Sequence, residues 1–228
     1  MTYLNKSVIV IDNSDLAYSG EDISGTILRG TEASLILLSE HFVKMGMNVD
    51  YCNSIQKKNK VNGVNYFNKN DISKKKIYDL AIVISDANEF RRVTSIKKAV
   101  FSNSNQPIEK FIRKKQLFSF LKNKPKMILE GAYHYNNRSF VTSFFGKKIL
   151  PLAVDDEFIN FKIDKNFIPS KNAIFTTRSD RNLEFLIDCW ISINSKSLNS
   201  NLYINPPFNL KNEHKNAGIQ LRVKGDKS

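Results

Sequence analysis

Short apolar runs alternate along this chain with segments whose apolar residues recur at helical spacing. The β-branched run from Ser7 to Ile11 predicts a buried strand, and the glycine-punctuated stretch after it leads into a helix that opens at Thr31 and stops at Gly46. Further strands are predicted over residues 49–52, 61–67, 79–85, 99–102, 127–129 and 148–152. Further helices are predicted over a basic segment, 107–121, and over 138–145.

Strand, helix and strand in this order are typical of an α/β protein. Parallel strands joined by helices are covered on both faces, and their crossovers are right-handed. We therefore predict a Rossmann-like, doubly wound parallel sheet for the first part of the chain.

The pattern breaks after Asp155 and then restarts. Residues 155–172 are polar and irregular and contain Pro169, which is typical of a linker. Strands are then predicted over residues 173–176, 201–204 and 219–223, with an amphipathic helix over 182–193. We predict an N-terminal domain over 1–154, a linker over 155–172, and the incomplete start of a second Rossmann-like domain over 173–228, because so few strands hardly form a full core.

The charge widens the range of partners. The chain has 228 residues with 35 Lys and Arg against 22 Asp and Glu, a formal charge of +13. Such a balance suits nucleic acid, an anionic membrane surface or phosphate-bearing small molecules. The basic residues occur in scattered pairs without a nucleic-acid-binding motif or interleaved aromatics, so nucleic acid is the least favoured partner.

The cysteines and the N-terminus bear on localisation. Cys52 and Cys189 lie far apart in apolar segments, without metal-ligand spacing, which predicts free thiols in a reducing compartment. The first residues lack a secretory pattern, and no apolar run approaches the roughly 18 residues of a membrane span. We expect a cytoplasmic protein.

Gly30, Thr31 and Glu32 begin the first long helix. A glycine at a helix N-terminus that follows the first strand of an open sheet suits a phosphate or sugar cradle. The glycines at 20, 25 and 30 stand five apart, unlike those of dinucleotide-binding loops. A simple capped helix explains the same residues equally well.

Arg178 and Arg181 follow a predicted strand and precede the next helix. Ligands bind at that edge of open α/β sheets, and guanidinium groups suit diphosphate oxygens. The alternative is that the arginines are solvated, with Ser179 or Asp180 capping the helix.

His134 follows the strand predicted at 127–129, where it could contact a substrate. His41 fits a structural role in the first helix, and His214 fits an exposed loop. The residues form no metal cluster, no nucleophilic triad and no phosphate-binding motif, so the catalytic residues stay unassigned and no metal is expected.

Three segments together resemble glycosyltransferase family 4. Residues 30–32 with the helix 35–42 are similar to its Gly-Gly-x-Glu helix, residues 151–158 to its interdomain junction, and residues 177–187 to the opening of its nucleotide-binding domain. They occur in the family's order. The resemblance implies a two-domain GT-B fold in which Arg178 and Arg181 bind the donor diphosphate, without a metal or other cofactor.

The chain also departs from the family pattern. Arg29 replaces the first glycine of the pair, Ala153 replaces a junction glycine, and Asn103 occupies a place where related enzymes often carry histidine. The family's two donor-site glutamates, separated by seven residues, have no counterpart before Ser228. We therefore expect a truncated form or fragment that shows no measurable sugar transfer by itself.

The resemblance implies transfer of a sugar from a nucleotide-sugar donor to an acceptor hydroxyl, in surface-polysaccharide or glycolipid synthesis. Glycan or lipid-linked acceptors imply a peripheral contact at the inner face of the membrane, for which the basic helix around residues 108–122 is the candidate. Gly30, Thr31, Glu32, Asn103 and His134 are the candidate residues of the cleft and acceptor side. The alternative is a non-catalytic Rossmann-like module that binds a nucleotide or a protein partner.

Overall fold

The structure is a computed structural model with two compact units, Met1–Phe161 and Lys162–Ser228. It describes residues 4–23, 28, 30–102, 108–137, 140–151, 159–160, 162, 172–175, 182–194, 201–204 and 219–221. The division between the units falls in the segment predicted as a linker, most of which lies outside the described residues. The exact domain boundaries therefore stay a prediction.

The first unit is built on an eight-stranded sheet in the order β3-β4-β2-β1-β5-β6-β7-β8. The strands are β1 (Ser7–Ile11), β2 (Asn48–Asn53), β3 (Asn59–Val61), β4 (Val64–Asn68), β5 (Ile77–Ile84), β6 (Thr94–Ser102), β7 (Lys126–Leu129) and β8 (Lys147–Ile149). The neighbouring strands run parallel except β3 and β4, which are antiparallel. This confirms the predicted α/β, Rossmann-like class.

Helices cover both faces of this sheet. They are α1 (Gly30–Lys44), α2 (Ile108–Arg113), α3 (Leu117–Asn123) and α4 (Ala132–Asn136), with short 3-10 turns at Gly20–Ile23, Lys69–Asp71, Ala87–Arg92 and Val141–Ser143. Alternate strand residues point to opposite faces. On one face Val10 and Tyr51 pack in a cluster with Ile36 of α1, and on the other Ile11 packs in a cluster with Phe111 and Phe120 of α2 and α3.

The strand predicted over 61–67 is confirmed over residues 64–67 as part of β4, but its first residues belong to β3 and to the turn of a hairpin. Asn62 and Gly63 form its turn with φ of 48° and 83°. Two consecutive residues with positive φ make the tight turn that joins twisted antiparallel strands, and Asn-Gly is the pair that adopts it most readily. The asparagine-glycine signal was present in the sequence but lay within an apolar run.

Two predicted helices also differ from the structure. The basic helix divides into α2 and α3, because Lys115 adopts a left-handed φ of 53° and the N–H of Gln116 bonds the carbonyl of Phe111 at 2.8 Å. The helix predicted over 138–145 is wrong within the described residues: α4 ends at Asn136, and only a 3-10 turn follows at Val141–Ser143. Helical spacing of apolar residues did not distinguish a continuous helix from two short ones.

The second unit contains a three-stranded parallel sheet in the order β11-β10-β9. Its elements are β9 (Ala173–Phe175), α5 (Leu183–Asn194), β10 (Leu202–Ile204) and β11 (Ile219–Leu221). Leu183, Ile187 and Trp190 of α5 are buried in one cluster with Leu202 and Ile204 of β10. The helical spacing of the three α5 residues explains why sequence alone located this helix to within a residue.

Candidate functional site

The carboxyl ends of the parallel strands form the edge where an open α/β sheet binds its ligands. The chain extends the sheet from β1 toward β2 and β4 on one side, and later from β1 toward β5 and β6 on the other. The strand order therefore reverses beside β1. Asp12 follows β1, Asp86 lies two residues beyond β5, and Glu130 follows β7, so acidic side chains lie at three strand exits of this edge.

Asp12 organises the loop that leaves β1. Its Oδ1 accepts a hydrogen bond from the Ser14 amide at 2.9 Å, and its Oδ2 accepts from Ser14 Oγ at 2.7 Å and from the Tyr18 hydroxyl at 2.6 Å. Tyr18 also bonds the hydroxyl of Tyr51 at 2.8 Å, and its carbonyl accepts from Asn53 Nδ2 at 2.7 Å. These bonds use both carboxyl oxygens of Asp12, so its role here is to position the loop.

The two tyrosines of this network are held neutral. Burial, with the charge of Asp12 nearby, raises the pKa of both Tyr18 and Tyr51 far above the usual tyrosine value. Glu32 of α1 also raises the pKa of Tyr51, which places that carboxyl group close to the same network. The hydroxyl groups therefore remain hydrogen-bonding partners at any physiological pH.

Gly30, Thr31 and Glu32 form the first turn of α1. Because β1 and β2 are parallel, with Val8 opposite Val49, the helix between them runs back along the sheet and its N-terminus lies at the carboxyl edge. Gly30 is exposed, whereas Glu32 is only 5% exposed. A buried carboxyl group in the first turn already interacts with the positive end of the helix dipole. This arrangement makes the helix end less favourable for a phosphate.

The turn after β5 is tightly held. Ser85 has a left-handed φ of 56°, and its amide bonds the Phe101 carbonyl at 2.8 Å. The buried side chain of Gln116 donates to the Ser85 carbonyl at 3.3 Å and accepts from the Ala87 amide at 3.4 Å. Non-glycine residues in this conformation persist only where their surroundings fix them, and they cluster at functional sites.

Glu130 and His134 lie at the exit of β7. His134 is the third residue of α4, a helix that the sequence did not predict, and its ring contacts that of Tyr133 with centroids 5.8 Å apart. Burial raises the pKa of Glu130, and the neighbouring His134 opposes part of that rise. Glu130 Oε1 is buried without a hydrogen-bond partner among the described residues, and a Cβ added to Gly131 would meet nothing within 4 Å. A partly buried carboxyl group beside an imidazole and an open space can exchange a proton with a ligand.

Several predicted site residues lie outside the described part of the chain. Asn103 directly follows the last residue of β6, and Arg178 and Arg181 stand between β9 and α5, but none of the three is described. Of the predicted cleft residues, the structure brings Gly30, Thr31 and Glu32 together at one helix end. Whether they and His134 bind a ligand stays a prediction.

Sequence reasoning missed Asp12, Gln116 and Glu130. Asp12 and Glu130 stand immediately after predicted strands, so their position alone could have marked them. Gln116, in the loop between α2 and α3, contacts the turn that follows β5, and no local signal predicts that contact.

The basic segment of α2 and α3 carries an apolar face in contact with solvent. Phe111 and Phe120 are buried, but Ile112 and Phe118 are 59% and 77% exposed beside the exposed Lys114. Not all apolar residues of this segment therefore belong to the core. In the part of the chain that is described, no helix is both long and apolar enough to cross a membrane. The described side chains also include no group of three His, Cys, Asp or Glu residues suited to a metal ion.

Comparison with known proteins gives a match in structure but none in sequence. No family model and no curated protein matches the sequence. The chain is similar to a solved structure described as the glycotransferase of kitacinnamycin, with a TM-score of 0.50 and 8% sequence identity, over 96% of this chain and 70% of that chain. At this identity the likeness shows a shared fold alone.

Proposed function

We propose that this protein takes part in glycosyl transfer from a nucleotide-sugar donor to an acceptor hydroxyl, without a metal. The observation that carries the proposal is the fold shared with a glycosyltransferase, because it is independent of the three sequence segments that resemble family 4. Folds host many functions, so the site must supply the rest of the argument. The polar edge at the exits of β1, β5 and β7 supports an acceptor-binding role for the first unit.

The donor side of the proposal rests on Arg178 and Arg181. In the reaction, the bond between the sugar C1 and the diphosphate oxygen breaks, and C1 bonds the acceptor oxygen. The leaving nucleoside diphosphate gains negative charge, which two guanidinium groups and a helix N-terminus would stabilise. No metal is then needed to neutralise it.

The acceptor side of the proposal rests on Glu130 and His134. The acceptor hydroxyl must lose its proton as the new bond forms. Glu130 Oε1 is buried and has no partner among the described residues, so it is free to accept that proton. A carboxyl group with a raised pKa is a more effective base near neutral pH than an ordinary glutamate.

Donor binding is the first test of the proposal. Saturation-transfer NMR with a panel of uridine, guanosine and adenosine diphosphate sugars should reveal binding to the purified chain. Arg178→Ala and Arg181→Ala should each weaken it at least about tenfold, the loss expected for a charged hydrogen bond. Arg113→Ala, which removes an exposed arginine of α2, is the charge-matched control. Equal weakening by all three variants, or no binding of any donor, would contradict the proposal.

A carbon-13 titration of the glutamate side chains tests the acceptor side. Glu130 should titrate above the usual glutamate range, and His134→Phe should raise its pKa further, because the positive imidazole favours the ionised carboxylate. Glu109→Gln, at an exposed position of α2, identifies the resonance of a second glutamate and serves as the assignment control. A Glu130 pKa at or below the normal glutamate value would remove its proposed role as a base.

A further inference from the structure

A cavity lies between the connection from β4 to β5 and the 3-10 turn that follows β5. Its volume is about 230 Å³, and it is lined by Lys69, Asn70, Ile72, Lys74, Arg91 and Arg92. Four of the six lining residues are cationic and none is acidic. Every lining residue belongs to the first unit.

Arg92 is fixed in position by two partners. Its Nε lies 2.6 Å from Oε2 of Glu89, which is only 2% exposed, and its Nη1 donates to Asn70 Oδ1 at 3.2 Å. A guanidinium group held in this way loses little conformational entropy when it binds a ligand. The remaining N–H groups of its guanidinium can donate to a ligand.

Lys69 is also held in position by hydrogen bonds. Its Nζ donates to the carbonyl oxygens of Asn13 and Ser14, both at 3.2 Å. An ammonium group has three donors, so one remains for a ligand. The anchor also joins the cavity to the loop that leaves β1.

Lys74 and Arg91 are exposed, and neither takes part in an ion pair between described residues. The nearby acids are Glu89, which is engaged by Arg92, and Asp71, which lines a neighbouring cavity with Lys58 and Lys76. The four cations therefore exceed the acids at this place. Like charges held together without a counter-charge repel one another, and a bound anion would remove that cost.

We propose that this cavity binds a phosphoryl oxyanion. Two guanidinium and two ammonium groups supply charged donors from several directions, and guanidinium forks match phosphate oxygens in pairs. A volume of about 230 Å³ is sufficient for a phosphate or diphosphate group. The proposal is independent of glycosyl transfer and of Arg178 and Arg181.

The probe is inorganic pyrophosphate, which is titrated into the full chain and followed by calorimetry. Chloride at the same ionic strength serves as the reference anion. The test variant is Lys74→Ala with Arg91→Ala, two exposed positions whose truncation should leave the fold intact. The control is Lys60→Ala with Lys97→Ala, which removes the same charge from exposed positions on β3 and β6 outside the cavity. Circular dichroism of each variant verifies folding.

We expect saturable binding to the wild-type chain and to the control, and binding at least tenfold weaker in the test variant. A hexose 1-phosphate and vesicles of phosphatidate or phosphatidylcholine identify the source of the phosphoryl group. Competition by the soluble phosphate assigns the site to a free ligand, and competition by phosphatidate vesicles alone assigns it to a lipid headgroup. Equal loss in both double variants, or no binding beyond that of chloride, would overturn the proposal.

Discussion

Replacing Tyr18 by phenylalanine tests whether the buried hydroxyl network holds the exit of β1. The change keeps the ring and removes only the hydroxyl, which donates to Asp12 Oδ2 at 2.6 Å and contacts the Tyr51 hydroxyl at 2.8 Å. A hydrogen bond to a carboxylate contributes about 1.5–3 kcal/mol, and one between neutral groups contributes about 1 kcal/mol. Because Tyr18 is 2% exposed, water does not replace the lost partner. The expected loss of unfolding free energy is therefore about 3 kcal/mol.

Urea unfolding followed by far-ultraviolet circular dichroism measures this loss. With a slope of about 2 kcal/mol/M, a loss of about 3 kcal/mol lowers the midpoint by about 1.5 M. Trp190 fluorescence reports on the second unit and separates its transition from that of the first. Tyr133→Phe removes a hydroxyl from a ring that is 68% exposed, and it should change the stability by less than about 0.5 kcal/mol.

A double variant makes the test sharper. Tyr51→Phe alone should cost about 1 kcal/mol, because it removes one neutral hydrogen bond. Combined with Tyr18→Phe it should cost less than the sum of the two, because no buried hydroxyl group is then left without a partner. Two results would refute the view that these groups act as one network. One is a Tyr18→Phe variant as stable as Tyr133→Phe, and the other is a double variant whose loss of unfolding free energy equals the sum of the two single losses.

Three further predictions concern other parts of the chain. Asp50 accepts hydrogen bonds from Lys76 and Tyr78, and although burial alone would raise its pKa, these bonds lower it. Asp50 should therefore stabilise the fold above its unfolded pKa of about 4, and this stabilisation should be lost as the pH falls below that value. Lys76→Met should shift acid unfolding to higher pH, and Lys60→Met should not. Limited proteolysis should first cut within residues 156–172, and early cleavage within β5 would contradict the predicted boundary. The chain should bind anionic vesicles at low salt and lose them at high salt, with Phe118→Asp weakening the binding; equal binding to neutral vesicles, or tighter binding to duplex DNA, would contradict this.

The sequence predicted the positions of those strands that are buried on both faces, because such strands contain runs of β-branched and other apolar residues. β1, β2, β5 and β7 lie within one or two residues of their predicted positions, because the buried parts of these parallel strands are mostly apolar. The prediction located the buried second half of β6, residues 99–102, but missed its first five residues from Thr94. Those five residues are exposed or half-buried, so they carry no apolar signal of a strand.

The candidate site was harder to predict than the sheet because its contacts join distant positions. Glycine spacing drew attention to Gly30, yet the buried carboxyl group of Glu32 in the same turn makes that end a poor place for a phosphate. The cationic cavity, in contrast, has no signal in the sequence. Lys69 and Arg91 are 22 residues apart in the sequence and stand in no recognisable motif, so only the β4–β5 connection brings them together.

The Asp12 network and the cationic cavity both contact the loop that leaves β1. On one side the Asp12 network ties this loop to Tyr18 and Tyr51, and on the other Lys69 holds the carbonyl oxygens of Asn13 and Ser14. A ligand that accepts the remaining donor of Lys69 contacts the same ammonium group that holds those carbonyl groups. Because Ser14 bonds Asp12 through both its amide and its hydroxyl, a shift of Lys69 would be felt at the exit of β1, the strand beside which ligands bind in open sheets. We therefore expect a ligand in the cavity to affect the geometry of the β1 exit through the Lys69 side chain.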